Sequence, residues 1–168
     1  MTFDGEAHGY LPVMNNYFSI GIDAKIAHKF HEKREAHPEK FNSQALNKLK
    51  YGAYGATESV KGLEKDFTLK IDGKEIKLPS IEGLIVLNLP SWAGGTDLWN
   101  FKKADEKKGW KENKIDDGYF EVVGIKSSMH IARIKSKLSR GALKLGQGKK
   151  LEIKLNKEQY AQIDGEPW

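Results

Sequence analysis

Alternation with a period of two, broken by an Asp-Gly pair, is the pattern that most limits what this chain can become. Phe67, Leu69 and Ile71 are separated by polar residues, Asp72-Gly73 follows, and Ile76 and Leu78 resume the apolar positions. Successive strand residues face opposite sides of a sheet, and Asp-Gly is a favoured two-residue turn. Residues 67–78 therefore predict a half-buried β-hairpin. Residues 151–155 and 160–163 alternate in the same way. Leu84-Ile85-Val86-Leu87 is apolar throughout and predicts a strand buried on both faces. Residues 11–22 and 119–125 predict two more strands.

Helical periodicity is confined to three places. Asp23 is placed to cap a helix over residues 24–37, with Ile26, Ala27 and Phe30 on one side and Pro38 as its stop. Asn42 or Ser43 would cap a second helix, with Leu46, Leu49 and Tyr54 on its apolar side. Ser127 or Ser128 opens a third through about Leu138, turning Ile131, Ile134 and Leu138 inward. Residues 90–118 form a long connection rich in Gly, Asp, Lys and Trp, of a length that in compact domains is often functional. Strands outnumber helices and do not follow strict βαβ order. The expected fold class is α+β or mainly β: a largely antiparallel β-sandwich-like domain with a few packed helices, residues 1–168 forming one domain.

Composition excludes several classes. With no cysteine, disulfides and thiolate metal sites are impossible. No apolar run reaches the roughly 18 residues of a membrane span. The acidic start, Met1-Thr2-Phe3-Asp4-Gly5-Glu6, is not a secretory signal. A net charge of +5, with lysine pairs at Lys102-Lys103, Lys107-Lys108 and Lys149-Lys150, favours anionic partners or simply a solvated surface. No zinc-finger spacing or RNP-like aromatic run accompanies it, so nucleic acid is not expected as a partner. No Gly-x-Gly-x-x-Gly or Gly-Lys-Ser/Thr phosphate loop is present, the five histidines show no zinc spacing, and no serine sits in a nucleophile elbow.

Three polar clusters remain. In Gln162-Ile163-Asp164-Gly165-Glu166-Pro167-Trp168, two carboxylates flank a glycine. On a continuous strand they would share one face and could hold a metal or divide acid–base work; as Asp-Gly they could equally form a turn. The second cluster sets Asn15 and Asn16 inside an apolar strand, where Asn16 either lines a polar cleft or ties down a loop. In the third, the adjacent carboxylates Asp116-Asp117 repel, which a magnesium or calcium ion or nearby amides would relieve; a loop leading into a strand is the simpler reading. Gly94-Gly95, beyond Asn88-Leu89-Pro90-Ser91, could let backbone approach a ligand.

Read together, Met14-Asn15-Asn16-Tyr17-Phe18-Ser19-Ile20-Gly21-Ile22-Asp23-Ala24, Phe30-His31-Glu32-Lys33-Arg34-Glu35, Leu87-Asn88-Leu89-Pro90-Ser91-Trp92-Ala93-Gly94-Gly95-Thr96, Asp116-Asp117-Gly118 and the Asp164-Gly165-Glu166 tail closely resemble the accessory domain of eukaryotic diacylglycerol kinases. The resemblance spans nearly the whole chain in one order. It implies the C-terminal lobe of a two-lobe lipid kinase whose other lobe carries a Gly-Gly-Asp-Gly-Thr nucleotide loop; this chain has none, so alone it is expected to be inactive. The implied reaction passes the ATP γ-phosphate, with Mg²⁺, to diacylglycerol, giving phosphatidic acid. By the same resemblance Glu166 is the candidate general base and Asp164 part of a water and magnesium network. Asp116 or Asp117 would serve a structural magnesium site, while Asn16, Asn88, Gly94 and Gly95 match the pattern without an assigned role. The implied partners are a diacylglycerol kinase catalytic domain, diacylglycerol and a membrane lipid surface, met by a basic face including Lys102, Lys103, Lys107 and Lys108. The implied location is cytoplasmic and peripherally membrane-associated. A lobe that only buttresses or binds lipid, and a kinase for another lipid, are the alternatives. Because Pro167 favours an extended Glu166 and Lys74 follows the hairpin glycine instead, the tail is expected to be an active-site segment rather than a second ordinary turn.

Overall fold

A computed structural model describes residues 13–43, 46, 47, 50, 53, 55, 57–139 and 141–167. The alternating segments form two antiparallel sheets. In chain order the strands are β1 (Tyr17–Gly21), β2 (Phe67–Ile71), β3 (Lys74–Glu75), β4 (Gly83–Leu87), β5 (Phe120–Ile125), β6 (Leu143–Gly148), β7 (Leu151–Leu155), β8 (Ala161–Ile163) and β9 (Glu166–Pro167). A six-stranded sheet runs β6-β5-β4-β1-β8-β9, and a three-stranded sheet runs β3-β2-β7. Two helices are described over their full length, α1 (Ile22–Ala36) and α2 (Ser128–Lys135), together with short 3-10 turns. The expected class, α+β with largely antiparallel sheets and a few helices, is the observed one.

The period-two pattern explains the layering. Leu84 and Val86 of β4 point toward the small sheet, joining Phe18, Ile20, Phe67, Leu69, Ile71, Val122 and Ile163 in one core. Ile85 and Leu87 point the other way and join a second core beneath the helices, with Ile22, Ile26, Val123, Ile125 and Ile134. β4 is thus buried on both faces, as its unbroken apolar run predicts. The long connection is no open loop: Trp92, Leu98 and Trp99 are almost fully buried in the second core. Its sequence looked polar because the chain between these anchors is solvated.

Three expectations need correction: the start of the first strand, the Asp23 cap and the inward-facing Leu138. The first strand starts at Tyr17, and α1 follows it without a gap, so Asp23 lies within the first turn and is not a cap. Asp23 is instead buried and accepts hydrogen bonds from the Ser19 hydroxyl (2.8 Å) and the Gln162 side-chain amide. Leu138 does not face inward; it is 81 % exposed beyond the end of α2. β6 went unforeseen because glycines dilute it, and their reason is close approach: a Cβ at Gly146 or Gly148 would lie 2.6 or 2.4 Å from Ile71 of the facing sheet. Finally, the second helix is only partly described. Asn47 N–H bonds the Ser43 carbonyl (2.9 Å), consistent with a start there, but Leu46 is half exposed. Leu49 and Tyr54, like Leu11 and Trp168, lie outside the described residues. Ser127 does cap α2, its hydroxyl accepting from His130 N–H at 3.2 Å.

The turn from β1 into α1 rests on Gly21. Its φ is +88°, and a Cβ there would sit 2.5 Å from the Glu82 carbonyl oxygen and 2.5 Å from Leu63. Gly62 also has a positive φ, +77°, but has open space around it. We expect Gly21→Ala to cost at least about 3 kcal/mol in urea unfolding, combining backbone strain with overlap. Gly62→Ala, with strain alone, should cost about 1 kcal/mol. Equal costs would show that the close approach at Gly21 is not what fixes the junction.

Candidate functional site

Strand register gathers most of the candidate residues at one end of the large sheet. Tyr17 lies opposite Leu87, Leu87 opposite Glu121, and Glu121 opposite Gln147. On the other flank Phe18 pairs with Ile163, which pairs with Glu166. This row therefore carries the start of β1, the end of β4, the start of β5 and the β8–β9 turn.

Asp164-Gly165 is that turn. Both residues have positive φ, +53° and +95°, the signature of a type I′ hairpin, and Ile163 faces Glu166 across it. Asp72-Gly73, at +49° and +77°, has the same form. The expected contrast between the two Asp-Gly pairs does not exist. Both aspartates also do the same work. Asp72 accepts from the Lys149 and Lys150 N–H groups at 3.0 and 2.7 Å. Asp164 takes the N–H groups of Asn15 (2.8 Å), Asn16 (2.7 Å) and Tyr17 (2.9 Å), and its own N–H bonds the Tyr17 carbonyl (2.9 Å). Asp164 and Glu166 are consequently not i, i+2 neighbours on one strand face. The Asp164 carboxylate folds back over the start of β1, whereas Glu166 begins β9, extended and exposed, as Pro167 led us to expect.

Asn16 and Asn88 join this end. Asn88 N–H bonds the Asn16 carbonyl (2.9 Å), and its side-chain amide donates to the Asn15 carbonyl (2.8 Å). Asn16 thus ties segments together through its backbone. Gly94 and Gly95 are exposed, with φ of +88° and +104°, in a tight loop closed by reciprocal Trp92–Thr96 backbone bonds of 2.9 and 2.8 Å. The Trp92 ring meets Tyr17 edge-on at 6.4 Å, so the loop borders the same end.

Asp116 and Asp117 stand apart. At about 4.8 Å per strand, the start of β5 is three strands, or about 14 Å, from β8. Asp116 is exposed, and Asp117 accepts from Tyr119 N–H (2.9 Å), an ordinary loop-to-strand turn. Among the described residues no three acidic or histidine side chains gather closely enough to hold a metal by themselves. A magnesium ion suits the site only in its usual manner, through one or two carboxylates completed by water or phosphate oxygens.

The strands hide a set of polar residues that the sequence reading passed over. Glu121 is 1 % exposed, between the Asn113 amide, which donates to it, and the Gln147 amide at 2.7 Å. Burial pushes its carboxyl from 4.5 up to about 7, despite the Gln147 bond, and nearby Asp117 adds to the rise. Ser19, Asp23 and Gln162 form a second buried network. Burial raises the Tyr17 hydroxyl well above its normal pKa; Asp23 and Asp164 push the same way and Gln162 opposes. The available signal was a lone polar residue inside an otherwise apolar strand, as in Phe120-Glu121-Val122-Val123 or Ala161-Gln162-Ile163.

The family model described as "Diacylglycerol kinase accessory domain" matches residues 13–167. Diacylglycerol kinase theta from Mus musculus is 40% identical over 157 residues, covering 92% of this chain and 16% of the relative. The Homo sapiens theta protein is 39% identical with the same coverage. Diacylglycerol kinase eta from Drosophila melanogaster is 40% identical over 161 residues, covering 93% of this chain and 8% of the relative. The chain thus spans about a fifth or less of the curated relatives it matches. A crystal structure of a diacylglycerol kinase from Bacillus anthracis str. Sterne aligns with 91% of the chain and 46% of its own, at 18% identity and a TM-score of 0.48.

Two outcomes are expected of this site. Asp164→Ala should cost about 1–2 kcal/mol, as loss of a helix cap does, and speed hydrogen exchange at the Asn16 and Tyr17 amides about tenfold or more. Unchanged exchange there would remove Asp164 as the tie. For Glu121, the folded pKa lies above the unfolded one, so between about pH 4.5 and 7 the folded chain holds a proton that the unfolded chain has released. Stability should fall as pH rises through that window. Glu121→Gln should gain about 2–3 kcal/mol on the parent between pH 5 and 8 in denaturant titrations. Parallel curves would contradict the burial effect.

Proposed function

This chain belongs to the diacylglycerol kinase accessory domain family, and from that premise we propose that it is the C-terminal lobe of a lipid kinase that phosphorylates diacylglycerol with ATP. The observation that carries the reading is the Asp164-Gly165 turn, held by three backbone N–H groups, with an exposed Glu166 immediately beyond it. A general base must be held firmly, reach solvent before substrate arrives and sit within hydrogen-bonding range of the acceptor hydroxyl. The turn supplies the first two conditions.

In this reading Glu166 takes the proton of the lipid hydroxyl as its oxygen bonds to the γ-phosphorus and the bond to the departing ADP breaks. Asp164 acts as a positioning residue. Its two oxygens already serve N–H donors, so it orients the turn and offers its remaining lone pairs to water. Asp116 or Asp117 would lend carboxylate oxygen to a structural magnesium ion, distinct from the magnesium that accompanies the nucleotide and neutralises charge on its phosphates. ATP would be held mainly by the lobe that carries the nucleotide loop. No helix among the described residues is long and apolar enough to cross a membrane. By family resemblance the lobe would meet its lipid as a peripheral protein on the cytoplasmic side. The residues 1–168 serve as one accessory domain within that enzyme.

The test is Glu166→Gln in the full-length kinase. We expect kcat for diacylglycerol phosphorylation to fall about 10²–10⁴-fold with little change in KM. Near-normal turnover would leave a lobe that only buttresses its neighbour, and a rise in KM alone would make it a lipid-binding lobe. Competition with a sphingoid base or ceramide separates diacylglycerol from other lipid acceptors.

A further inference from the structure

The most one-sided charge in the chain lies on and around α2. Residues 126–140 contain Lys126, Arg133, Lys135, Lys137 and Arg140 and no aspartate or glutamate. Residues 102–112, the lysine-rich stretch that stands out in the sequence, mix five lysines with Asp105, Glu106 and Glu112. There Asp105 is paired with Lys144, Lys108 lies 4.8 Å over the Trp110 ring, and Lys111 lies 4.4 Å over Tyr119. Two of its five lysines are thus engaged by aromatic rings, and three acids lie among them.

The α2 segment also exposes large apolar side chains. Met129 is 61 % exposed, one helical turn before exposed Arg133, while Ile134 on the opposite side packs into the core. Leu138 is 81 % exposed, and its position is fixed. Leu138 N–H bonds the Arg133 carbonyl (2.8 Å), Lys137 N–H bonds the Ile134 carbonyl (3.0 Å), and Lys137 has a φ of +60°. These are the bonds of a Schellman motif, in which the residue at the Leu138 position commonly packs back on its helix. Here it is held out in water beside the cations.

We propose that this face of α2, with Lys126, Met129, Arg133, Lys137 and Leu138, is a docking surface for an anionic lipid bilayer. Cations draw it to acidic headgroups, and Met129 and Leu138 enter the headgroup boundary, the division of labour of interfacial helices. The surface also adjoins the candidate site. Lys135 lies 5.1 Å over the Trp92 ring, that ring meets Tyr17, and the Tyr17 N–H is held by Asp164. The inference goes beyond the kinase reading and does not require it, because binding is measured without turnover.

The test is cosedimentation of the 168-residue chain with phosphatidylcholine vesicles, pure or about one-third phosphatidylserine. Binding should require the anionic lipid and weaken as salt rises. Arg133→Glu with Lys137→Glu should lower affinity at least about tenfold. Leu138→Ser should lower it severalfold, with unchanged thermal melting in both variants. Lys103→Glu with Lys107→Glu should change it little. Equal binding to pure phosphatidylcholine, parent-like binding by either α2 variant, or loss of binding only in the Lys103/Lys107 variant would overturn the proposal.

Discussion

The Asp164 carboxylate holds the two ends of the described chain together. It accepts three consecutive backbone N–H groups from residues nearly 150 positions away. Those groups open β1, the strand that pairs with β4 on one side and β8 on the other. A one-residue slip of β1 would turn Phe18 and Ile20 out of the core between the sheets and leave the donors without their acceptor. The register that follows from this clasp sets Asn88, Glu121 and Gln147 along the same end of the sheet. Residues that the proposed chemistry uses are thus positioned by bonds that also define the fold.

A sheet covered on both faces has a cost for polar side chains. Ser19, Glu121 and Gln162 lie within it almost wholly out of water. Each has a partner: Ser19 and Gln162 meet on Asp23, and Glu121 lies between Asn113 and Gln147. Such groups resist substitution because removing one partner strands the other, at about 1–3 kcal/mol per neutral group. Two networks centred on buried carboxylates and one clasp therefore stiffen the end of the sheet from which Glu166 projects, although the Asn113 and Gln162 amide oxygens accept no hydrogen bond among the described residues.

What the sequence disclosed depended on whether a local rule met a tertiary one. The hairpin at Asp72-Gly73, the doubly buried strand at 84–87 and the Ser127 cap follow from short-range chemistry and were legible. β6 was not, because Gly146 and Gly148 answer to Ile71 on another sheet. Asp23 has the composition of a cap but the surroundings of a core residue, and no local pattern separates the two. The tail is the most instructive position. Its Asp-Gly is a turn, as local propensity says, and family resemblance argued against that reading when the two were compatible. The turn is the means by which the proposed base, Glu166, is presented. Asn16, Asn88 and Asp164 meet, while Asp116 and Asp117 precede β5, which lies three strands, or about 14 Å, from β8, a separation that only the strand order reveals.

Catalysis by Glu166 requires that its carboxylate face the acceptor hydroxyl in the assembled enzyme. A structure of the full-length kinase with a non-hydrolysable magnesium nucleotide and diacylglycerol would measure it directly. The predicted result places a Glu166 carboxylate oxygen about 2.6–3.2 Å from the acceptor hydroxyl, or one water away, with Asp164 still bound to the N–H groups of residues 15–17. A Glu166 turned to bulk solvent, with another residue on the hydroxyl, would contradict it.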